Sequence, residues 1–457
     1  RDKRMMKKKT YNMLTDPPGR SLLFFALPMI LGNLFQQFYN IADSVIVGNF
    51  VGERALAAVG ASYAITNVFI AIAIGGGIGS SVIISQCLGA GKKGKMKTAV
   101  FTTLINFLVV SICLGALGLF LNHRILGWVN TPREVFSDAA LYLAVYFAGL
   151  PFLFMYNVEA SIFNALGDSR TPLYLLIFSS LLNIFLDMLF VIRFQQGVRG
   201  VAVGTLIAQG VSAVISFGLL LRKLKGYETD EHWRVYDAGL MFSMVRIAVP
   251  SIIQQSIVQS GILLVQSVVN SFGASVLAGY SAGMRIESIS IVPMLAMGNA
   301  MSTFTAQNVG AGQLERVNKG YRMCYAAVLS AGAFLCILYQ LFGNVFVSAF
   351  LDAGNGSAAF QTGLDYVKFL SFFYAFIGLK ASTDGLLRGA GDVKAFTVAN
   401  LVNLSIRVIV TNVFAPVYGI QVAWMAVPMG WAANYVISFG WYLTGKWRRR
   451  WETVGVR

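Results

Sequence analysis

Two acids stand out because the segments around them are almost free of charge. Of 457 residues, 56% are hydrophobic and only 12% charged, and Asp43 and Asp187 both fall inside long apolar runs. A carboxylate in such a run is costly to ionise, and where one is kept it usually serves an ion or substrate pathway. Asp43 belongs to a series, Asn33, Gln36, Gln37, Asn40, Asp43 and Ser44, whose spacing of 0, +3, +4, +7, +10 and +11 follows one face of an α-helix. That stripe cannot face lipid, because each polar group would lose water with nothing in exchange. It lines water or packs on another polar helix, interhelical hydrogen bonding being the plainer alternative. Asn183 and Asp187 are four apart, hence on one helix face, and Thr205 follows in the next apolar run. Two carboxylates, an amide and a hydroxyl from three helices suit a small cation such as Na+; equally, two nearby carboxylates can share a proton. Pro28, fifteen residues before Asp43, removes a helix hydrogen bond and offers a place to bend.

These residues need helices long enough to cross a bilayer. Apolar runs between Gly, Pro and charge clusters predict twelve spans, near 21–47, 55–84, 98–121, 136–160, 171–192, 200–223, 243–270, 276–304, 320–348, 361–386, 395–415 and 421–445. The fold class is therefore an all-α polytopic membrane protein. The two halves repeat: Gln86-Cys-Leu-Gly-Ala-Gly91 matches Gln307-Asn-Val-Gly-Ala-Gly312 at an offset of 221, and Ala165-Leu-Gly-Asp168 matches Gly389-Ala-Gly-Asp392 at 224. Six spans per repeat is an even number, so both repeats cross in the same sense, as two six-helix bundles about a pseudo-twofold axis along the membrane normal. The division reads as a tail at 1–20, a first lobe at 21–223, a polar linker at 224–242, a second lobe at 243–445 and a tail at 446–457. Most of the 36 Lys and Arg lie in the tails and in the loops on their side, which places both termini in the cytoplasm and the protein in the plasma (inner) membrane.

The second repeat does not copy the acid pair: Asn183 and Asp187 correspond to Arg407 and Thr411. It keeps glutamines at Gln255, Gln259 and Gln266, and carries Glu287, a candidate for the cavity or for a pair with Arg407 or Arg285. Lys380 and Asp384, four apart, can neutralise each other. Glu159, near the end of the fourth span, has no assigned role. Several classes are excluded. The net charge of +16 comes with no basic stretch interleaved with aromatics, which argues against nucleic acid. Four scattered cysteines and two isolated histidines form no metal set. Gly89-Ala-Gly-Lys-Lys-Gly-Lys95 fits the start of a P-loop, but Met96 stands where Ser or Thr would hold Mg2+. No nucleotide and no resident cofactor are expected, and motifs for a membrane enzyme are missing.

With these residues in view, the chain resembles the multidrug and toxic compound extrusion (MATE) family from about Leu14 to Trp447. The likeness is carried by Leu27-Pro28, Ala42-Asp43-Ser-Val-Ile-Val-Gly48, the two Gly-Ala-Gly loops, and Ala165-Leu-Gly-Asp168-Ser-Arg-Thr-Pro172 with its echo at Leu387–Asp392. The resemblance implies a V-shaped pair of lobes that export small organic, often cationic, compounds or amphiphiles, driven by inward Na+ or H+, with membrane lipids as the surrounding partners. One branch of the family holds its cation at an Asp of the first span, an Asn and an Asp of the fifth and a Thr of the sixth, which Asp43, Asn183, Asp187 and Thr205 match, with Pro28 at the bend. In another branch the ion is carried by acids of the seventh and tenth spans. The seventh span here has no acid, so that site is not carried over. The nearest alternative, a flippase for a lipid-linked amphiphile, would need a strongly basic cavity, whereas the internal bases are only Arg246, Arg285, Lys380 and Arg407.

Overall fold

The computed structural model describes residues 12–46, 50–129, 131–351 and 357–452. The basic residues of 1–11 and the last five residues lie outside that set, as do the side chains of Ser44, Gln259 and Gln266. The described chain is almost entirely helical. The first half holds α1 (Pro18–Ile46), α2 (Glu53–Gly89), α3 (Lys93–Trp128), α4 (Arg133–Ala165), α5 (Arg170–Met188) and α6 (Gly197–Lys225). The second holds α7 (Ala238–Asn270), α8 (Ala274–Ser290), α9 (Val292–Gly310), α10 (Leu314–Ser348), α11 (Ala358–Ser371), α12 (Tyr374–Gly389), α13 (Val393–Tyr418) and α14 (Gln421–Leu443), followed by the short α15 (Lys446–Glu452). Taking α8 with α9, and α11 with α12, as single crossings gives twelve spans at the predicted places. Among the described residues, nine of these are long and apolar enough to cross a membrane by length and composition alone.

The repeat appears in the backbone as well as in the letters. Gly91 and Gly312 both adopt φ +71°, and Gly167 and Gly391 both adopt φ +79°. Each ends a helix in the left-handed region that only glycine enters cheaply, so equivalent helices turn back by the same geometry.

The halves are interlocked. Leu22, Phe25 and Ala26 of α1 are buried in a core with Met297, Phe304 and Tyr321 of the second half. Reciprocally, Leu240 and Met244 of α7 are buried with Ile84, Met96 and Leu104 of the first. The first helix of each repeat thus packs on the second and third spans of the other. A Cβ on Gly75 or Gly79 would fall 2.7 or 2.5 Å from the α7 backbone, so the spacing of these glycines lets α2 and α7 approach closely.

At the end where α1 begins and α14 finishes the halves meet by matched contacts. Gln86 Nε2 donates to the Gly389 carbonyl at 2.9 Å, and Gln307 Nε2 donates to the Ala165 carbonyl at 2.9 Å. A Cβ on Gly89 would lie 1.9 Å from the Gln307 carbonyl oxygen, and one on Gly310 would lie 2.2 Å from that of Gln86. This end of the molecule is closed. The P-loop-like segment is the turn from α2 to α3, and the Gly94 N–H donates to the Glu231 carboxylate of the linker at 2.8 Å. A side-chain carboxylate therefore holds the helix N-terminus that a phosphate would need.

Candidate cation site in the first half

α1 brings Asp43 and, one turn earlier, Tyr39 to the face of α5 that carries Asn183 and Asp187. Asn183 Nδ2 donates to Asp187 Oδ1 at 3.1 Å and to Thr205 Oγ1 of α6 at 3.3 Å. The Tyr39 hydroxyl donates to Asn183 Oδ1. Thr205 passes its own proton back to the Val201 carbonyl at 3.0 Å. The carboxyl groups of Asp43 and Asp187 lie within hydrogen-bonding reach of each other. All four residues read from the sequence as one cluster are thus brought together. Asn183, with its oxygen turned to Tyr39 and its nitrogen to Asp187 and Thr205, holds the arrangement in place.

One feature makes the cluster reactive. Asp43 Oδ1 and Asp187 Oδ2 are buried and accept no hydrogen bond, and Asp187 as a whole is 0% exposed. Two carboxylates in contact repel unless a proton or a cation lies between them, and hard cations take oxygen ligands. The unpaired oxygens fit either occupant.

Sequence reasoning passed over three neighbours. Tyr39 is four residues before Asp43 and so shares its helix face, a signal that was available. Tyr142 of α4, close enough to interact electrostatically with both acids, left no such trace, since only tertiary packing brings α4 here; it lines a small hollow with Thr205 and Gln209. Gly204 is the third: a Cβ there would meet Asp187 Oδ1 at 2.3 Å. Gly200, four residues earlier, faces Phe190 at 3.0 Å, so the two glycines seat α5 and the segment just after it against α6. Immediately beyond Asp187 the helix loosens into a π-turn, Leu189–Arg193, a distortion often found at functional sites.

The other sequence candidates are more dispersed. Asn33 and Asn40 are exposed, while Gln36, Gln37 and Gln255 are half-buried, and Gln36 Nε2 donates to Asn40 Oδ1 at 3.2 Å. Gln259 falls among the undescribed side chains. Helix α1 continues as α-helix through Pro28. Glu287 accepts from the Tyr366 hydroxyl, with Arg407 acting on it electrostatically, so its hydrogen-bond partner is a tyrosine where the sequence pointed to an arginine. Asp384 is fully met: Lys380 Nζ stands 3.2 Å from Oδ2, Asn400 donates to the same oxygen at 3.2 Å, and Ser438 donates to Oδ1 at 2.7 Å. Asp384 of the second half is neutralised internally, whereas the pair in the first half is left open.

Twelve interlocked spans in two repeats, with an incompletely paired acid site inside one, define a polytopic membrane carrier. A profile of the MatE family matches residues 28–189 and 250–413, so the chain belongs to the MATE family. It is 30% identical over 447 residues to the "Probable multidrug resistance protein YpnP" of Bacillus subtilis (strain 168), covering 96% of this chain and 98% of that one. It is 26% identical over 433 residues to the "Probable multidrug resistance protein YoeA" of the same strain, covering 93% of each. A solved structure titled "Outward-facing conformation of a multidrug resistance MATE family transporter of the MOP superfamily" superposes with a TM-score of 0.86 at 21% identity, over 98% of this chain and 100% of that one.

Proposed function

We propose that this protein is a secondary active efflux transporter that exports small organic compounds, cationic ones and amphiphiles among them, in exchange for Na+ or H+. The open pair Asp43–Asp187 carries this reading: its unpaired oxygens in a buried setting favour whichever conformation lets a cation or proton reach them. The names of the B. subtilis relatives support the cargo class. Both termini then lie in the cytoplasm of a plasma-membrane protein, which makes the closed end the cytoplasmic one. Entry of the ion removes one negative charge from the pair and the repulsion between its members, the polar stripe on α1 rearranges, and α1 bends near Pro28 so that the space beside Asn33, Gln36, Gln37 and Asn40 shrinks and cargo leaves outward. Loss of the ion to the cytoplasm resets the cycle. A charge buried or released at this depth shifts such an equilibrium by several kcal/mol. The cycle uses no resident cofactor and no nucleotide.

Asp43→Asn removes the charge change while keeping the shape. In vesicles loaded with a fluorescent organic cation, the variant should insert normally but show no efflux under either a Na+ or a proton gradient. Efflux at the unsubstituted rate would refute the reading.

A further inference from the structure

Three cations converge at the closed end of the second half. Arg246 of α7, Lys394 of α13 and Lys446 just after α14 line one cavity of about 160 Å³, backed by Trp447. All three are exposed, and none has a salt bridge among the described residues. Asp392 is the one acid of the wall, and its Oδ2 already accepts from Trp441 Nε1 at 2.7 Å. The ring of the same tryptophan carries Lys446, whose Nζ stands 4.6 Å from its centroid. Three cations against one carboxylate leave the hollow strongly positive.

The first half does not repeat this. At the offset of 224 that relates Asp168 to Asp392, Trp447 stands where the first half has Lys223, and Lys223 pairs with Asp168 at 2.6 Å. Arg246 falls, at the offset of 221 or 224, on Phe25 or Leu22, both of them buried. Where the first half has a closed ion pair, the second has spare positive charge.

The surroundings say what kind of anion fits. Trp441, Trp447 and Trp451 gather here among basic residues, the company that marks the headgroup level of a bilayer. One and two turns along the helix face from Arg246, Val249 and Ile253 are 45% and 44% exposed. Likewise, beyond Lys394, Val398 and Leu401 are 53% and 40% exposed. Helices α7 and α13 pack side by side, so the charged hollow leads into two apolar stripes on membrane-spanning helices. The hollow is too small for a drug-sized molecule but leaves room for a phosphate group.

We propose that this hollow binds the headgroup phosphate of an anionic phospholipid, with Arg246, Lys394 and Lys446 around the phosphate and the acyl chains along Val249 and Val398. Basic pockets between spanning helices recognise acidic headgroups in this way. A zwitterionic lipid brings its own ammonium, which the three cations repel. One phosphate so held ties α7, α13 and the segment after α14 together.

The test uses the full chain in phosphatidylcholine nanodiscs doped with phosphatidylglycerol or phosphatidylcholine bearing a diazirine in one acyl chain, with labelled peptides mapped by mass spectrometry. Phosphatidylglycerol should label α7 and α13 near Val249 and Val398 well above phosphatidylcholine. Arg246→Gln and Lys394→Gln should each cut that labelling about fivefold. Adding Lys446→Gln to both should bring it down to the phosphatidylcholine level. Lys225→Gln, which removes an exposed charge at the end of α6, should leave it unchanged. Equal labelling by the two lipids, or an equal loss in Lys225→Gln and Arg246→Gln, would reduce the effect to the general pull of a basic surface and overturn the proposal. Displacement of the labelled lipid by excess inorganic phosphate would make the ligand a free anion and overturn it as well.

Discussion

At the scale of single residues, what separates the two halves is how their acids are met. Asp384 has a lysine, an amide and a hydroxyl; Asp43 and Asp187 have each other and one amide. A saturated acid has no reason to exchange its partner, whereas an unsaturated pair does. Tyr39 maintains the second condition indirectly, because its hydroxyl fixes which way the Asn183 amide turns. Tyr39→Phe leaves the Asn183 oxygen unpaired at a cost of about 1–3 kcal/mol. Efflux in vesicles should fall roughly tenfold, while Tyr63→Phe, at an exposed ring, should leave it unchanged.

At the scale of elements, glycines set how closely helices approach and therefore where the acids sit. Gly204→Ala would drive a methyl into the Asp187 carboxylate and should abolish efflux. Gly210→Ala on the same helix meets nothing nearer than 3.6 Å and should transport normally. The closed end offers a second test. A side chain at Gly310 must displace the Gln86 carbonyl, so Gly310→Val should pry that end apart. Spin labels at the repeat-equivalent, exposed positions Lys92 and Gln313 should report a longer distance by double electron–electron resonance. An unchanged distance would mean that the glycine crossing does not hold the end shut.

For the molecule as a whole, the loop acids act as fasteners. Asp168 accepts from the N–H groups of Arg170 and Thr171 and from the Thr171 hydroxyl, and pairs with Lys223 Nζ at 2.6 Å. Burial alone would push this carboxyl up, but the lysine and the hydrogen bonds outweigh it and hold it below the usual carboxylate range. A lowered folded value means a contribution that is complete above the ordinary value of 3.8 and fades as pH falls towards the depressed one. Asp168→Asn should therefore melt a few degrees lower at neutral pH in a thermal unfolding assay, with the gap closing below about pH 4. Much of this architecture was legible beforehand: hydropathy marked the twelve spans, and the offsets of 221 and 224 marked the repeat. The four-residue cluster was legible because two of its members share a helix face and all four match a family pattern. Tyr142 and the closing bonds of Gln86 and Gln307 were not, since they depend on which helices meet, and α1 packing with α9 and α10 joins residues some three hundred positions apart. Glu159 was visible as a lone acid, but its complete burial depends on how α4 packs with its neighbours, which its spacing does not show.

The crossing of α1 into the second half also bears on how the chain is made. Gly19 faces Met323, so the buried side of the first helix has no cover until the ribosome has delivered that stretch of α10. At roughly 5–20 residues per second that is about 15–60 s. During that interval the newborn first helix must be sheltered by lipid or by the insertion machinery, and a chain released early would expose Leu22 and Phe25 to whatever is nearby.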